Sequence, residues 1–126
     1  MVKILVAEDS LFQRRKITGI LERYGFEAMA VSCAEEAIDA FQTFKPDGML
    51  TDLHMPGMGG VALIQEIRKT NKEIPIWVLS ADVQEPVVEE CKELGITLFI
   101  SKPLNKDKII GALMEHGFEI KMRELG

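Results

Sequence analysis

The chain has 126 residues, 47% hydrophobic and 28% charged, with a net charge of −5. That describes one soluble globular domain with an adequate core, and the acidic balance argues against nucleic acid as a direct partner, because phosphate contacts need clustered Lys and Arg. No apolar run approaches the roughly 20 residues of a membrane span. Residues 1–4 lead straight into a strand pattern with no signal peptide, and two cysteines are too few for a disulfide framework, so a cytoplasmic location with reduced thiols is expected.

Strand and helix patterns alternate along the whole chain. Residues 3–7 form a continuous apolar run, as a strand buried on both faces should. A helix is predicted over 11–24, with Ile17, Ile20, Leu21 and Tyr24 on one stripe and Gly25 as its stop. A second strand covers 27–32. Ser32-Cys33-Ala34-Glu35 then matches a capping box and opens a helix to about residue 44, which Pro46 ends. The third strand is 48–51, followed by the turn-rich loop Met55-Pro56-Gly57-Met58-Gly59-Gly60 and a helix over 61–70. The fourth strand, 74–79, leads to a helix over 86–94 with Pro86 near its first turn and Gly95 after its end. The fifth strand, 97–100, and a helix over 104–116 complete the pattern. Cys33 and Cys91 fall in helical patterns and read as core or half-buried residues. Residues 117–126 are a short polar, amphipathic tail that extends the last helix or frays. The domain is placed at residues 1–118, with 119–126 as its tail.

Five βα units predict a doubly wound parallel sheet with helices on both faces and right-handed crossovers. Four of the apolar runs end in polar residues. KILVA precedes Glu8-Asp9, GMLT precedes Asp52, IPIWVL precedes Ser80, and LFI precedes Ser101-Lys102-Pro103. Parallel strands project all of these from one sheet edge, where ligands bind in open α/β folds. Clustered carboxylates repel and call for a counter-ion. Mg²⁺ suits one or two carboxylates plus a phosphate. Asp52 can act as a nucleophile toward a phosphoryl group. Lys102 supplies an ammonium and Ser80 a hydroxyl for the phosphoryl oxygens. Each residue alone has a plainer reading, as a helix cap, a turn residue or a solvated cation. Four of them at successive strand ends, in matching chemical types, favour the site.

On these residues the chain resembles the receiver domain of two-component response regulators, most closely the stand-alone CheY-like type. The likeness covers about residues 2–116. It rests on Glu8-Asp9, on Asp52 with the following Leu53 to Gly60, on Leu79-Ser80-Ala81 and on Ser101-Lys102-Pro103. The resemblance implies the flavodoxin-like strand order 2-1-3-4-5 and a cis Lys102-Pro103 bond. It implies that Asp52 accepts a phosphoryl group from a phosphohistidine of a sensor histidine kinase. Asp9, Asp52 and the backbone carbonyl of His54 would hold Mg²⁺, with Glu8 acting mainly through a water on the metal. Ser80 and Lys102 would engage the phosphoryl oxygens. Ser80 and Phe99 would form the switch, Phe99 rotating inward as Ser80 moves. The output face would be the fourth helix, fifth strand and fifth helix, where Val87, Val88, Glu90, Cys91, Ile96, Leu98, Lys106 and Ile110 lie. His54 and Asp82 would flank the hydrolytic water and set the lifetime of the phosphorylated state.

The expected partners are the kinase and an effector protein, without nucleic acid or membrane insertion. The chain is expected as a monomer, with dimerisation on phosphorylation open. Self-catalysed transfer at Asp52 makes it a signalling protein rather than an enzyme. A role in chemotaxis or motility follows by analogy alone. A phosphorelay intermediate, a receiver excised from a larger regulator and a phosphorylation-independent binding module are the alternatives. Two other classes fit less well. An aspartyl-phosphate hydrolase of the haloacid-dehalogenase type would need an acid where His54 stands. A flavodoxin-like electron carrier would want a hydroxyl-rich loop where Ala7-Glu8-Asp9-Ser10 stands.

Overall fold

The computed structural model describes residues 1–81 and 84–122. In chain order the elements are β1 (Lys3–Ala7), α1 (Leu11–Arg23), β2 (Glu27–Val31), α2 (Ala34–Phe44), β3 (Gly48–Asp52), α3 (Gly60–Thr70), β4 (Ile76–Ser80), α4 (Glu85–Glu93), β5 (Leu98–Ser101) and α5 (Lys106–His116). All pairings are parallel, and the strand order is β2-β1-β3-β4-β5. This is the predicted doubly wound, flavodoxin-like sheet. No helix among the described residues is long and apolar enough to cross a membrane.

The two-residue period of a strand builds two cores from one run of sequence. Ile4 and Val6 of β1 face one side, with Trp77 and Leu79 of β4, and pack against Ile17, Leu21, Ile109 and Leu113 of α1 and α5. Leu5 and Ala7 face the other side, with Ile76 and Val78, and pack against Ala37, Phe44, Leu63, Ile64 and Cys91 of α2, α3 and α4. The three central strands therefore carry three of the four apolar runs that end in polar residues, and the fourth, LFI, lies on the edge strand β5. The edge strands β2 and β5 are only partly buried.

Several local expectations shift. The helix after β2 is not capped by Ser32. Cys33 is the N-cap residue and makes no cap hydrogen bond, so Glu36, not Glu35, occupies the third helical position. The Ser32 hydroxyl donates to Glu36 Oε1 instead. β4 starts at Ile76, two residues late, because Asn71 Oδ1 accepts the N–H groups of Glu73 and Ile74 and holds a turn there. α5 starts at Lys106, because Asn105 caps it by accepting from Lys108 N–H at 2.9 Å.

The C-terminal segment neither extends α5 nor frays over residues 117–122. Gly117 ends the helix in the left-handed region, and Phe118 N–H donates to Leu113 O. The Phe118 ring then meets His116 and Phe26 edge-on, at 4.9 and 6.3 Å between centroids. Lys121 N–H donates to Tyr24 O at 3.0 Å. Gly25 permits this approach, since its φ is +91° and a Cβ there would stand 2.6 Å from Lys121 O.

A buried arginine holds α4. Arg68 of α3 is 9% exposed and makes no ion pair among the described residues. Its guanidinium donates to Leu94 O at 2.7 Å, to Gly95 O at 3.0 Å and to Asn71 O at 3.2 Å. These are carbonyls that the ends of α4 and α3 leave without helical partners, and a cation suits that end of a helix. Cys91 is the buried residue of α4, so this tie supplies much of its attachment.

Candidate phosphoacceptor and metal site

Glu8, Asp52, Ser80 and Lys102 all arrive at the C-terminal edge of the sheet, as their places at strand ends required. Glu8 is 1% exposed and Asp52 and Ser80 are each 4% exposed. Asp9 is exposed, at the mouth of the same cluster. Lys102 reaches into the group, its Nζ 2.7 Å from Asp52 Oδ2 and 3.4 Å from Glu8 Oε2. The other Asp52 oxygen accepts the His54 backbone N–H at 3.0 Å. The Asp52 carboxylate is thus held from both sides before any ligand arrives.

The loops that carry these groups are braced by bonds the sequence did not announce. Arg14 Nη1 donates to the carbonyls of Glu8 and Asp9, at 2.9 and 2.8 Å, and fixes the β1–α1 turn. Ser10 caps α1 by accepting from Gln13 N–H, and its own N–H donates to Glu8 Oε1. Lys102 N–H donates to Ser80 O at 2.8 Å, joining the loops after β4 and β5. Lys108 Nζ donates to Ser101 O and Pro103 O around the cis Lys102-Pro103 bond. Gly60 opens α3 against the backbone of β3, where a Cβ would stand 2.2 Å from Asp52 O. Backbone carbonyls as partners leave no signature in a sequence, so nothing there marks Arg14 or Lys108 as part of the site.

Electrostatics divides the two buried acids. Burial pushes the Glu8 carboxyl up to about 7, and its neighbour Asp52 adds to the shift. Burial acts on Asp52 in the same direction, but the Lys102 ammonium and the His54 N–H outweigh it and hold Asp52 below the usual carboxylate range. Lys102 is raised despite its own desolvation, because Asp52 stabilises its charge. Without metal, then, Asp52 gives up its proton below the usual carboxylate range, while Glu8 holds its own until pH nears about 7.

This has a measurable consequence. Between about pH 4.5 and about pH 7 the metal-free folded protein holds a proton on Glu8 that the unfolded chain has released. Stability contributed by this group therefore falls as pH rises through that window, by at most about 3 kcal/mol. Asp52 acts with the opposite sign, but only below its ordinary pKa. Urea unfolding in a chelator should give a higher midpoint at about pH 5 than at about pH 7.5 for the natural chain. The difference should shrink in Glu8→Gln. An equal difference in both proteins would remove Glu8 as its source.

The donor set fits a small divalent cation. Glu8, Asp9 and Asp52 each offer a carboxylate oxygen, all within 4.8 Å of one another. Oxygens bound to one Mg²⁺ at about 2.0–2.1 Å stand at most about 4.2 Å apart, so small side-chain rotations suffice. Ser80 Oγ is buried with no hydrogen-bond partner among the described residues, which leaves it available to a ligand oxygen. His54 is exposed, and the structure places its N–H, rather than its ring, on Asp52. Phe99 is half-buried on β5, beside Val78, and packs toward α4. Of the residues placed on the output face, Cys91 and Ile110 are buried in the two cores, while Glu90, Leu98 and Lys106 are exposed. Asp82 lies outside the described residues.

A family model described as the response regulator receiver domain matches residues 4–114. The chemotaxis protein CheY of Thermotoga maritima is 32% identical over 112 residues, which cover 88% of this chain and 93% of CheY. The sensory/regulatory protein RpfC of Xanthomonas campestris is 31% identical over 118 residues, 90% of this chain, but the chain spans only 16% of RpfC's length. Among solved structures, the chemotaxis response regulator CheY4 of Vibrio cholerae matches with a TM-score of 0.85 at 26% identity, covering 91% of this chain and 98% of that one. With the sheet order and this edge cluster, the match over residues 4–114 shows that the chain belongs to the response regulator receiver domain family of two-component systems.

Proposed function

We propose that Asp52 is the phosphoacceptor of a two-component pathway, taking its phosphoryl group from a sensor histidine kinase and passing the signal on by binding an effector protein. The observation that carries this is the state of Asp52. It is a buried, ionised carboxylate held by Lys102 at 2.7 Å and by the His54 N–H at 3.0 Å, beside two further acids that fit Mg²⁺. An Asp52 oxygen attacks phosphorus, a P–O bond forms, and the P–N bond to the donor histidine breaks. The leaving imidazole keeps the electron pair and takes up a proton. Lys102 balances charge on the phosphoryl oxygens, and Ser80, whose hydroxyl has no partner among the described residues, donates to one of them. Glu8, Asp9, Asp52 and the His54 carbonyl would hold Mg²⁺, which supplies charge neutralisation to the transferred group when bound.

The phosphoryl group adds about −1.5 to −2 charges and three acceptors at Asp52. Ser80 moves toward them, Phe99 turns into the space it leaves, and α4, β5 and α5 present the changed face. Exposed His54, together with Asp82, which lies outside the described residues, governs water access to the acyl phosphate, so His54→Ala should change the dephosphorylation rate. An unchanged rate would discard that role. The working unit is residues 1–118, with 119–126 as a tail, and a role in chemotaxis rests on the likeness to CheY. The match to a small part of RpfC supports a second setting, as one domain of a larger regulator.

The deciding experiment is intact-protein mass after incubation with acetyl phosphate and Mg²⁺. The natural chain should gain one phosphoryl group, Asp52→Asn none, and chelation of Mg²⁺ should abolish the gain. Equal labelling of Asp52→Asn would place the acceptor elsewhere. Absence of labelling, together with failure to bind beryllofluoride, would leave a module that binds without phosphorylation.

A further inference from the structure

Glu8 and Asp9 are neighbours in the sequence, yet each brings a carboxylate oxygen within 4.8 Å of that of Asp52. An extended chain does not do this. In a strand, successive side chains point to opposite faces of the sheet, and successive carbonyls point to opposite sides. On its amide side Glu8 still belongs to the strand, because its N–H donates to Val31 O at 3.1 Å, across to β2. The alternation therefore breaks between Glu8 and Asp9, and the break needs a support.

Arg14 supplies it. Its Nη1 lies 2.9 Å from Glu8 O and 2.8 Å from Asp9 O, so two successive carbonyls converge on one nitrogen. A terminal guanidinium nitrogen carries two N–H groups, one for each carbonyl. Arg14 is the fourth residue of α1, and a helical side chain leans toward the N-terminus of its helix, which aims this one at the chain just before Ser10. Ser10 closes the turn from the other side, its N–H donating to Glu8 Oε1 at 3.2 Å. Arg14 is half-buried and makes no ion pair among the described residues. Its cation is spent on the main chain and leaves the carboxylates free, whereas Lys102 bonds directly to those of Glu8 and Asp52.

We propose that Arg14 is a positioning residue for the divalent cation: by drawing the carbonyls of Glu8 and Asp9 together, it turns two adjacent acids onto one site. This role rests on the reading of this sheet edge as a Mg²⁺-dependent phosphoacceptor site. Arg14 acts through the ligands, not on the phosphoryl group. Its removal has two opposed effects. Loss of a nearby positive charge favours a cation among the acids. Loss of the turn lets Glu8 and Asp9 part, and partners that orient metal ligands are typically worth 10–100-fold in affinity. The second effect wins, because the guanidinium is aimed at the backbone and water screens its charge.

Calorimetric Mg²⁺ titration of the natural chain, Arg14→Met and Arg14→Lys tests this, with the carbonyl ¹³C shifts of Glu8 and Asp9 followed in the metal-free proteins. Arg14→Met should bind Mg²⁺ about 10–100-fold more weakly, and both carbonyl resonances should move. Arg14→Lys keeps the charge and the N–H donors at a similar reach, so it should recover most of the affinity. Labelling of Asp52 by acetyl phosphate should need more Mg²⁺ in Arg14→Met, while its rate at saturating Mg²⁺ stays close to that of the natural chain. A general disturbance of the fold would lower the saturating rate instead. Equal or tighter Mg²⁺ binding by Arg14→Met would overturn the proposal. So would carbonyl shifts that stay in place, since the turn would then hold without Arg14. A natural chain that binds no Mg²⁺ would overturn the metal reading itself, and this role with it.

Discussion

Lys102→Met should slow labelling of Asp52 by acetyl phosphate roughly 10²–10³-fold, in the range seen when one preorganised electrostatic contact is removed. Nζ lies 2.7 Å from Asp52 Oδ2, and the side chain is only 22% exposed, so water cannot simply take its place. The same change should tighten Mg²⁺ binding. It removes a positive charge from three carboxylate oxygens that lie within 4.8 Å of one another, which leaves the cation as their chief neutraliser. Labelling rates at saturating Mg²⁺, set beside calorimetric Mg²⁺ titration, would separate the two effects. Opposite movements are expected. A parallel loss of rate and metal affinity would mean that the mutation had only disturbed the fold, and an unchanged rate would remove Lys102 from the chemistry.

Gly60→Ala should cost about 3 kcal/mol of stability, at the upper end of the ordinary range for overpacking. The added methyl would stand 2.2 Å from Asp52 O and 2.8 Å from Leu53 Cα. Both are backbone atoms and cannot rotate away as a side chain would. Either the start of α3 or the end of β3 must move, and the latter carries Asp52. Labelling should therefore fall together with the melting temperature, which should drop by about 10 °C. Gly111→Ala in α5 is the matched control. A Cβ there meets nothing within 4 Å, so alanine's better helix propensity should stabilise by up to about 1 kcal/mol. Similar melting temperatures for the two variants would refute the close-approach argument.

The features legible in the sequence were those with a one-dimensional signature. Central strands buried on both faces read as continuous apolar runs, and the polar residues that end them read as one edge. Glu8, Asp52, Ser80 and Lys102 were visible for that reason. Asp9, which follows Glu8 directly, was visible with it, and although exposed it brings a carboxylate oxygen within 4.8 Å of those of Glu8 and Asp52. The capping box slipped by one position because Ser32 and Cys33 both precede an acidic pair, Glu35 and Glu36, and the motif alone cannot choose between the two registers. The docked tail was missed because its attachment is a backbone hydrogen bond, from Lys121 to Tyr24, and an aromatic cluster of Phe26, Trp77, His116 and Phe118, which are brought together from distant parts of the chain. Cys91 was read as a core or half-buried residue and is buried, whereas Ile110, placed on the output face, could not be told from a surface position by its spacing alone.

The three carbonyls gathered by Arg68 give α4 the mechanics of a lever. The helix has nine residues, about 13 Å at 1.5 Å per residue. Leu94 and Gly95 at its far end are clamped to α3, and Glu90 also accepts from Gln65 Nε2 of α3 at 3.3 Å, while Val87 nearer the start only packs against the core. A rigid rod with one fixed end cannot slide along its axis. A push delivered near Ser80 must therefore emerge as a tilt, greatest at Glu85 and vanishing toward Gly95.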